Sequence, residues 1–454
     1  MLPKTNRFRM FLKSKFDSIP SQKVKTDILN ALPYWSGAVI AGIVAVIYAK
    51  LFSWAEEGTH LLYEHAKWMF FLVTPIGFVL ATWMVIKYAP FARGSGIPQV
   101  SAAIELSNPK HNYKVNSLLS LKVVIVKIVS SLIMVFSGGI VGREGPTIQI
   151  SAAIFKKIND SLPSWYPKIS KRNMIVTGAA AGLAAAFNTP LGGIVFAIEE
   201  LTKTHFSFFK SALLTGVIIA GLTALNFLGP YLYLGYPQLG KIEISIVLII
   251  IPLALLTSAI GTWMCNIILY IFKLKASFPK KYHKYIYVVI CGLLIAASAI
   301  FIDVRTFGSG KEIMVATLFS NNKQVEWYIP IIKILGSILS FTTGGAGGVF
   351  APSLTAGASI GAMVAGWLNL SASSTNLLIL CGMTGFLTAV TRSPFTSSIL
   401  VLEMTDTHDV IFYIMLSALF ANLIANLVSR HSFYDQLKNQ YIHEVHQNEL
   451  QLNK

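Results

Sequence analysis

Charged residues are scarce in this chain of 454 residues. Asp, Glu, Lys and Arg make up 13% of it, whereas 54% is hydrophobic and the mean hydropathy is +0.62. A soluble globular domain carries about 25% charged residues, so this composition excludes one. Several apolar runs reach the roughly 20 residues that a membrane-spanning helix requires. The sequence predicts a multi-pass membrane protein with spans at 34–54, 68–88, 118–136, 211–228, 242–272, 285–302 and 410–428.

Cysteine is scarce as well, and the histidines lack the spacing of metal ligands. Cys265, Cys291 and Cys381 lie far apart in apolar segments, which excludes a disulfide framework and a cysteine metal site. The nine histidines scatter over loops and ends without the spacing of metal ligands. We therefore expect neither a metal nor a cofactor. A cleavable signal peptide is not expected either, because the first 30 residues are polar and basic.

The net charge of +17 is concentrated at chain ends and loops. A nucleic-acid partner would require a basic face on a soluble module, and none is expected. Positive-inside bias explains the basic start and predicts a cytoplasmic N-terminus. The basic residues before the first span are Lys4, Arg7, Arg9, Lys13, Lys15, Lys23 and Lys25.

Three segments of the first half of the chain recur in the second half, in the same order. SGGIVGREGPT, from Ser137, matches TGGAGGVFAPS, from Thr343, at an offset of 206. The segment from Thr177 recurs at an offset near 204, and GSGIP at Gly94 is echoed by GSGKE at Gly308. Chance repetition of small residues used in ordinary helix packing is the alternative, but three echoes in register disfavour it. Duplicated, glycine-broken membrane segments predict a transporter-type site between the two halves, which we expect to be inverted repeats.

These echoes predict the domain organisation. We expect a basic cytoplasmic segment at 1–30, a first transmembrane repeat at 31–230, a second at 240–430, and a C-terminal helix with a short cytoplasmic tail at 431–454.

Three motifs share one design: a glycine turn, a proline and a short helix. The turns are 94–98, 142–146 and 347–352, and the predicted helices are 99–106, 147–155 and 353–367. A helix of about ten residues spans half a bilayer, so its N-terminus can end near the midplane. Irregular backbone at that depth must be buried in protein or line a cavity. Three helix N-termini, each worth about half a positive charge, can hold an anion and still release it.

Several residues in these motifs are candidates for function. A carboxylate at membrane depth is a functional hypothesis by default, and Glu144 is one; a structural pair with Arg143 is the alternative. Ser95 is either an anion ligand or a helix N-cap, and its spacing fits both. Val349 and Phe350 offer backbone N–H groups, although the Phe350 ring can equally be apolar filling. The remaining backbone candidates around the anion are Gly94, Gly96, Gly142, Arg143, Gly145, Gly347 and Gly348.

Other polar residues have simpler expected roles. Glu199, Glu403 and Asp406 are interpreted as solvated carboxylates at helix ends. Lys127 is expected to snorkel or to pair. Tyr434 follows the last span, where an aromatic residue ordinarily lies at the membrane interface.

GSGIP, GREGP and GGVFAP, together with NTPLGGIVFAIEE, closely resemble the CLC family of chloride channels and proton-coupled chloride exchangers over about residues 32–440. The resemblance implies an all-α integral membrane protein of the CLC-type fold, with two inverted repeats and many tilted and half-spanning helices. It also implies a homodimer with one pore in each subunit.

The same resemblance assigns chloride ligands. Ser95 and Tyr434 are similar to the two hydroxyl donors around the central chloride of the family, and the amides of Val349 and Phe350 resemble its backbone ligands. Serine at position 95 suggests chloride, where proline would suggest nitrate. The fluoride-exporting branch departs from GSGIP and GREGP, so fluoride is disfavoured.

It also assigns proton-handling residues. Glu144 corresponds to the external gating glutamate and Glu200 to the inner proton-transfer glutamate of the exchangers. Gln99 departs from the acidic residue that relatives often carry there. No regulatory nucleotide-binding (CBS) domains are expected.

The resemblance implies secondary active, voltage-sensitive exchange of protons for chloride, with membrane lipid around the protein and no enzymatic activity. A bacterial inner-membrane location with both termini in the cytoplasm is implied too. The alternative is a passive chloride channel of the same fold. A membrane enzyme is disfavoured, because no nucleophile and base occur in recognisable motifs.

Overall fold

The computed structural model describes residues 21–108, 110–202, 210–229, 233–240, 242–320 and 323–452. This part of the chain is almost entirely helical, and its extended pairing consists of two isolated bridges. The first-half helices are α1 (Gln22–Ala66), α2 (Phe70–Tyr88), α3 (Ile97–Leu106), α4 (Val115–Leu118), α5 (Leu121–Phe136), α6 (Glu144–Asp160), α7 (Lys171–Phe187), α8 (Pro190–Phe196) and α9 (Lys210–Leu228). The second-half helices are α10 (Val247–Ala276), α11 (Lys281–Phe301), α12 (Lys311–Phe319), α13 (Tyr328–Thr342), α14 (Phe350–Trp367), α15 (Ala372–Thr391), α16 (Pro394–Thr405), α17 (Ile411–Val428) and α18 (Phe433–Leu452).

Length and composition make 7 helical segments of the described chain capable of crossing a membrane. They are Gln22–Tyr88, Asn112–Phe136, Ser211–Leu228, Ile244–Ala276, Tyr282–Phe301, Ala372–Thr391 and His408–Val428. Six correspond to the predicted spans, with 34–54 and 68–88 both inside the first and with residues 242, 243 and 302 just outside the observed segments. Ala372–Thr391 was missed, because its serines, threonines and glycines dilute its hydropathy. This helix is almost wholly surrounded by protein, so it does not need a lipid-compatible surface.

The order of helices in the first half recurs in the second. The series α3, α5, α6, α7, α8 is followed about 200 residues later by α12, α13, α14, α15, α16. Each series contains a short helix, a long apolar helix, a helix that starts at a glycine turn, a buried helix that ends before a proline, and a helix that begins at that proline. The duplicated motifs therefore correspond to duplicated structure, while the boundaries 31–230 and 240–430 remain a prediction.

Backbone hydrogen bonds join the glycine turns of the two halves. Gly142 N donates to Gly348 O at 2.7 Å and Gly348 N donates to Gly142 O at 2.8 Å, so two equivalent residues exchange equivalent bonds. Gly94 N donates to Gly345 O at 2.8 Å, and Gly347 N donates to Gly94 O at 3.1 Å. The reciprocal pairing of Gly142 with Gly348 has the geometry of a local two-fold axis that passes between the halves.

Two carboxylates, one from each half, each cap a helix of the other half. Glu199 accepts from the backbone N–H of Phe395 at 3.2 Å and of Thr396 at 2.7 Å, and so caps α16. Glu403 caps α8 and accepts from the two equivalent N–H groups. The interpretation of both as solvated helix-end carboxylates is therefore wrong: each binds the helix N-terminus of the other repeat, where a negative charge is stabilised. Asp406 is exposed, as predicted.

Removing one of these caps should weaken the contact between the halves. In Glu403→Ala the N–H groups of Leu191 and Gly192 lose their acceptor, and we expect a loss of about 1–2 kcal/mol of stability. Thermal unfolding of the detergent-solubilised protein measures this loss as a lower midpoint. Asp409→Ala removes an exposed carboxylate nearby and is the matched control. An equal midpoint for both variants would contradict the capping role.

Candidate functional site

Three helix N-termini meet where the glycine turns are bridged. α3 begins at Ile97, α6 at Glu144 and α14 at Phe350, and the first N–H groups of each helix have no acceptor within it. A Cβ on Gly348 would lie 3.5 Å from Gly145 N, which shows how closely the turns approach. The predicted convergence is therefore present. α3 has the expected 10 residues, but α6 and α14 have 17 and 18 and are longer than the predicted half-spans.

Glu144 lies at this meeting point and is 1% exposed. The Tyr233 hydroxyl donates to Glu144 Oε1 at 3.4 Å. A Cβ on Gly142 would overlap Glu144 Oε2 and would lie 3.3 Å from Ala351 N, so the carboxylate borders the start of α14 as well as that of α6. Arg143 donates to Ala49 O at 2.9 Å, and its positive charge also acts on the Glu144 carboxylate.

The hydroxyls of Ser95 and Tyr434 lie beside each other, and each residue is 1% exposed. Among the described residues neither hydroxyl has a hydrogen-bond partner of good geometry, which is unusual for buried polar groups. The N-cap of α3 is Gly96, so the interpretation of Ser95 as a helix cap is wrong. Burial of Tyr434 likewise overturns its expected interfacial position. Two buried hydroxyls without protein acceptors are suited to a polar ligand.

Val349 and Phe350 are fully buried at the start of α14. Their N–H groups belong to the unpaired first turn, as the anion-site hypothesis requires. The Phe350 ring also packs against Phe187, with centroids 5.5 Å apart, and Phe187 packs against Tyr233 at 5.0 Å. The ring is thus apolar filling too, in an aromatic wall that reaches the tyrosine bonded to Glu144.

Lys127 is fully buried behind the first glycine turn. Its ammonium donates to Gly94 O at 2.8 Å and to Arg93 O at 3.4 Å, so it neither snorkels nor pairs with a carboxylate. An amino group that donates to these carbonyl oxygens polarises the peptide groups of the turn at the start of α3.

Glu200 is 5% exposed and lies on a π-helical turn, Ala197–Thr202, that follows α8. Ser393 Oγ donates to Glu200 Oε2 at 2.9 Å. Glu200 also lines an open cavity of about 320 Å³. Tyr434 lies within electrostatic range of both Glu200 and Glu144. The other polar residues that line this cavity are Ser101, Glu105, Ser107, Asn108, Arg172, Thr202, Asp435 and Lys438.

Sequence reasoning missed Tyr233, Ser393 and the π-helical turn. Tyr233 stands in an irregular stretch without a motif, and Ser393 is 193 residues from the glutamate that it contacts. The only signal for Ser393 is its place just before Pro394, at the start of a duplicated helix. Within the described chain, no group of three or more His, Cys, Asp or Glu is arranged to hold a metal ion.

Comparison with known proteins decides the family. The family model described as "Voltage gated chloride channel" matches residues 77–426. The chain belongs to this family. It is therefore a multi-pass membrane protein of an ion-transport family and not an enzyme, as the motifs predicted.

Curated relatives match the chain over most of its length. The "H(+)/Cl(-) exchange transporter ClcA" of Citrobacter koseri is 27% identical over 439 residues, which cover 92% of this chain and 89% of the relative. The protein of the same name from Cronobacter sakazakii is 27% identical, with 95% and 94% covered.

Solved structures confirm the fold class. A slow cyanobacterial Cl⁻/H⁺ antiporter aligns with a TM-score of 0.78 at 23% identity and covers 91% of this chain and 98% of its own. A CLC-type fluoride/proton antiporter aligns at 0.76 with 20% identity and covers 92% and 99%. The all-α membrane fold of the CLC type, with its two inverted repeats, is thus confirmed.

The contact between α6 and α3 can be tested at Gly145. A Cβ there would overlap Ser95 Oγ and lie 2.8 Å from the backbone oxygen of Ser95, whereas the helical backbone of α6 itself accepts alanine. We expect Gly145→Ala to displace the Ser95 hydroxyl and to weaken anion binding about tenfold, or about 1.4 kcal/mol, measured by calorimetric titration with chloride. Gly366→Ala, in the last turn of α14, has room for a methyl group and should bind like the unmodified protein. Unchanged affinity in Gly145→Ala would contradict this geometry.

Proposed function

We propose that this protein exchanges chloride for protons across the membrane, with Glu144 as the external gate and Glu200 as the internal proton-transfer residue. The position of Glu144 supports this proposal most directly, because its buried carboxylate borders two helix N-termini. The hydroxyls of Ser95 and Tyr434, which lack hydrogen-bond partners of good geometry within the described residues, belong to the same site. The names of the curated relatives as H⁺/Cl⁻ exchange transporters support the choice of ions.

The anion step uses partial charges. Chloride is held by the hydroxyls of Ser95 and Tyr434 and by the N–H groups of Val349 and Phe350, with Lys127 behind the turn. The four direct ligands are neutral donors, and Lys127 is separated from the chloride by a peptide group of the turn. Binding therefore stays weak enough for release. Ionised Glu144 competes with chloride for the helix N-termini. Protonation removes its charge, and the carboxyl group then yields its place to an anion.

The proton step requires a second carboxylate, because Glu144 is buried. Glu200 lines an open cavity and is held by Ser393, and Tyr434 lies within electrostatic range of both glutamates. In this scheme Glu200 takes protons from the cavity side and passes them towards Glu144. Because the proton and the anion use the same gate in turn, their fluxes are coupled in opposite directions. Net charge moves in each cycle, so turnover responds to voltage at about 2.3 kcal/mol per charge per 100 mV.

The cellular setting belongs to the same proposal. We propose a homodimer with one pore per subunit in the bacterial inner membrane, both termini cytoplasmic, and the Glu200 cavity on the cytoplasmic side. Exposed apolar side chains on the long helices, such as Ile47, Leu72 and Phe412, are suited to contact with lipid or with the second subunit.

Neutralising Glu144 tests the gate. We expect Glu144→Gln and Glu144→Ala to retain anion flux into liposomes but to lose uphill proton movement driven by a chloride gradient, because no carboxylate then alternates with the anion. Glu64→Gln, which removes an exposed carboxylate of α1, should keep both fluxes. Persistent proton pumping without the Glu144 carboxylate would refute the gate.

Neutralising Glu200 tests the inner proton path. Glu200→Gln should stop proton movement while chloride flux falls less, because the anion ligands stay in place. Flux assays with a chloride electrode and a pH electrode separate the two effects. Glu105→Gln removes another carboxylate from the same cavity, one that pairs with Lys438 at 3.0 Å, and should leave coupling intact. Normal coupling in Glu200→Gln would rule out its assigned role.

A further inference from the structure

The second repeat contains a copy of the turn that carries Ser95. Gly94 and Gly96 have φ angles of +61° and +111°, and Gly308 and Gly310 have φ angles of +70° and +88°. A helix begins directly after each turn, α3 in the first repeat and α12 in the second. Ser309 therefore occupies the same backbone position as Ser95, and it is 4% exposed.

A buried lysine accompanies both turns. Lys333 follows Lys127 at the duplication offset of 206, and both are fully buried. Lys333 Nζ donates to Phe307 O at 2.9 Å and to the carbonyl oxygens of Thr306 at 3.1 Å and Gly308 at 3.3 Å. The second turn thus has the buried lysine, the serine and the helix N-terminus of the first.

The two serines differ in what they bind. Ser95 Oγ lies beside the Tyr434 hydroxyl and has no hydrogen-bond partner of good geometry within the described chain, whereas Ser309 donates from both Oγ and N to Glu56 Oε1, at 2.8 and 3.0 Å. A Cβ on Gly308 would lie 3.2 Å from the same oxygen, so the carboxylate rests against the backbone of the turn. The Glu56 carboxylate of α1 therefore occupies the second turn, at a position that we call the seat.

This seat opens onto a charged cavity of about 330 Å³. Lys311 contributes a cation, and its ammonium lies 4.5 Å from the ring of Tyr233, the tyrosine that donates to Glu144. The charges of Glu56 and Lys311 both act on Glu144. The cavity thus adjoins the gate. Its other ionisable residues are Glu57, His60, Arg305, Glu312 and Lys333.

We propose that the Gly308–Ser309–Gly310 turn is a second anion site for a chloride-sized monovalent anion, in which the Glu56 carboxylate is a tethered occupant. An anion that enters from the adjoining cavity competes with Glu56 for Ser309 and the start of α12. Once Glu56 leaves, Lys311 supplies a compensating positive charge, and Lys333 continues to donate to the carbonyl oxygens of the turn. The inference rests on the chloride role proposed for the first turn and extends it to the second repeat.

Bromide, located by its anomalous X-ray scattering, is the probe. In crystals of the unmodified protein we expect bromide at Ser95, with Glu56 still seated at Ser309. Glu56→Ala should show an additional bromide at Ser309, and Ser309→Ala combined with it should remove that peak. Glu57→Ala is the matched control: it takes the same charge from the same cavity and helix but leaves the seat filled.

The outcomes separate this inference from the proposed function. Bromide at Ser95 but not at Ser309 in Glu56→Ala would show that Glu56 only caps α12 and joins it to α1, and the inference would fail while the proposed function stood. Bromide at neither turn would contradict both.

A second variant covers the possibility that Glu56→Ala does not fold. Glu56→Gln keeps the size of the side chain and removes its charge, so bromide displaces it more readily. Calorimetric titration should then count one more bromide per subunit than in the unmodified protein. An equal count would overturn the inference.

Discussion

Backbone hydrogen bonds between the glycine turns of the two repeats are the constraint on which this structure depends. They hold the starts of α3, α6 and α14 together, and a side chain at Gly145 or Gly142 would fill the space between them. Like partial charges repel, so three helix N-termini converge only where the backbone forces them together or an anion compensates them. In this protein the carboxylate of Glu144 supplies part of that compensation. Glu144 Oε2 has no hydrogen-bond partner within the described residues, so this buried carboxylate keeps one oxygen available at the helix N-termini.

Because of the duplication, several polar residues occur in pairs at equivalent positions of the two repeats. Glu199 and Glu403 cap each other's repeats, Lys127 and Lys333 polarise equivalent turns, and Ser95 and Ser309 occupy equivalent positions. The members of a pair need not do the same work. At the first turn the serine hydroxyl has no partner within the described chain, whereas at the second it binds a carboxylate of α1.

Much of this arrangement was predictable, because glycine turns followed by proline constrain the backbone locally. The motifs predicted where α3, α6 and α14 begin to within a few residues, and the duplication predicted that their N-termini would meet. The exchange of Glu199 and Glu403 was not predictable, since each contact joins residues about 200 positions apart and a carboxylate at a helix end usually faces solvent. The span Ala372–Thr391 was not predicted for a related reason: a helix enclosed by protein does not need the apolar surface by which a membrane span is recognised.

The most direct test of the account is a simultaneous record of chloride and proton fluxes from the purified, unmodified protein in vesicles. If one carboxylate alternates with the anion at the helix N-termini, chloride flowing down its gradient moves protons in the opposite direction, against their own gradient and in a fixed ratio. Chloride flux with no accompanying proton movement, and a reversal potential insensitive to pH, would contradict the account and identify the protein as a passive pore.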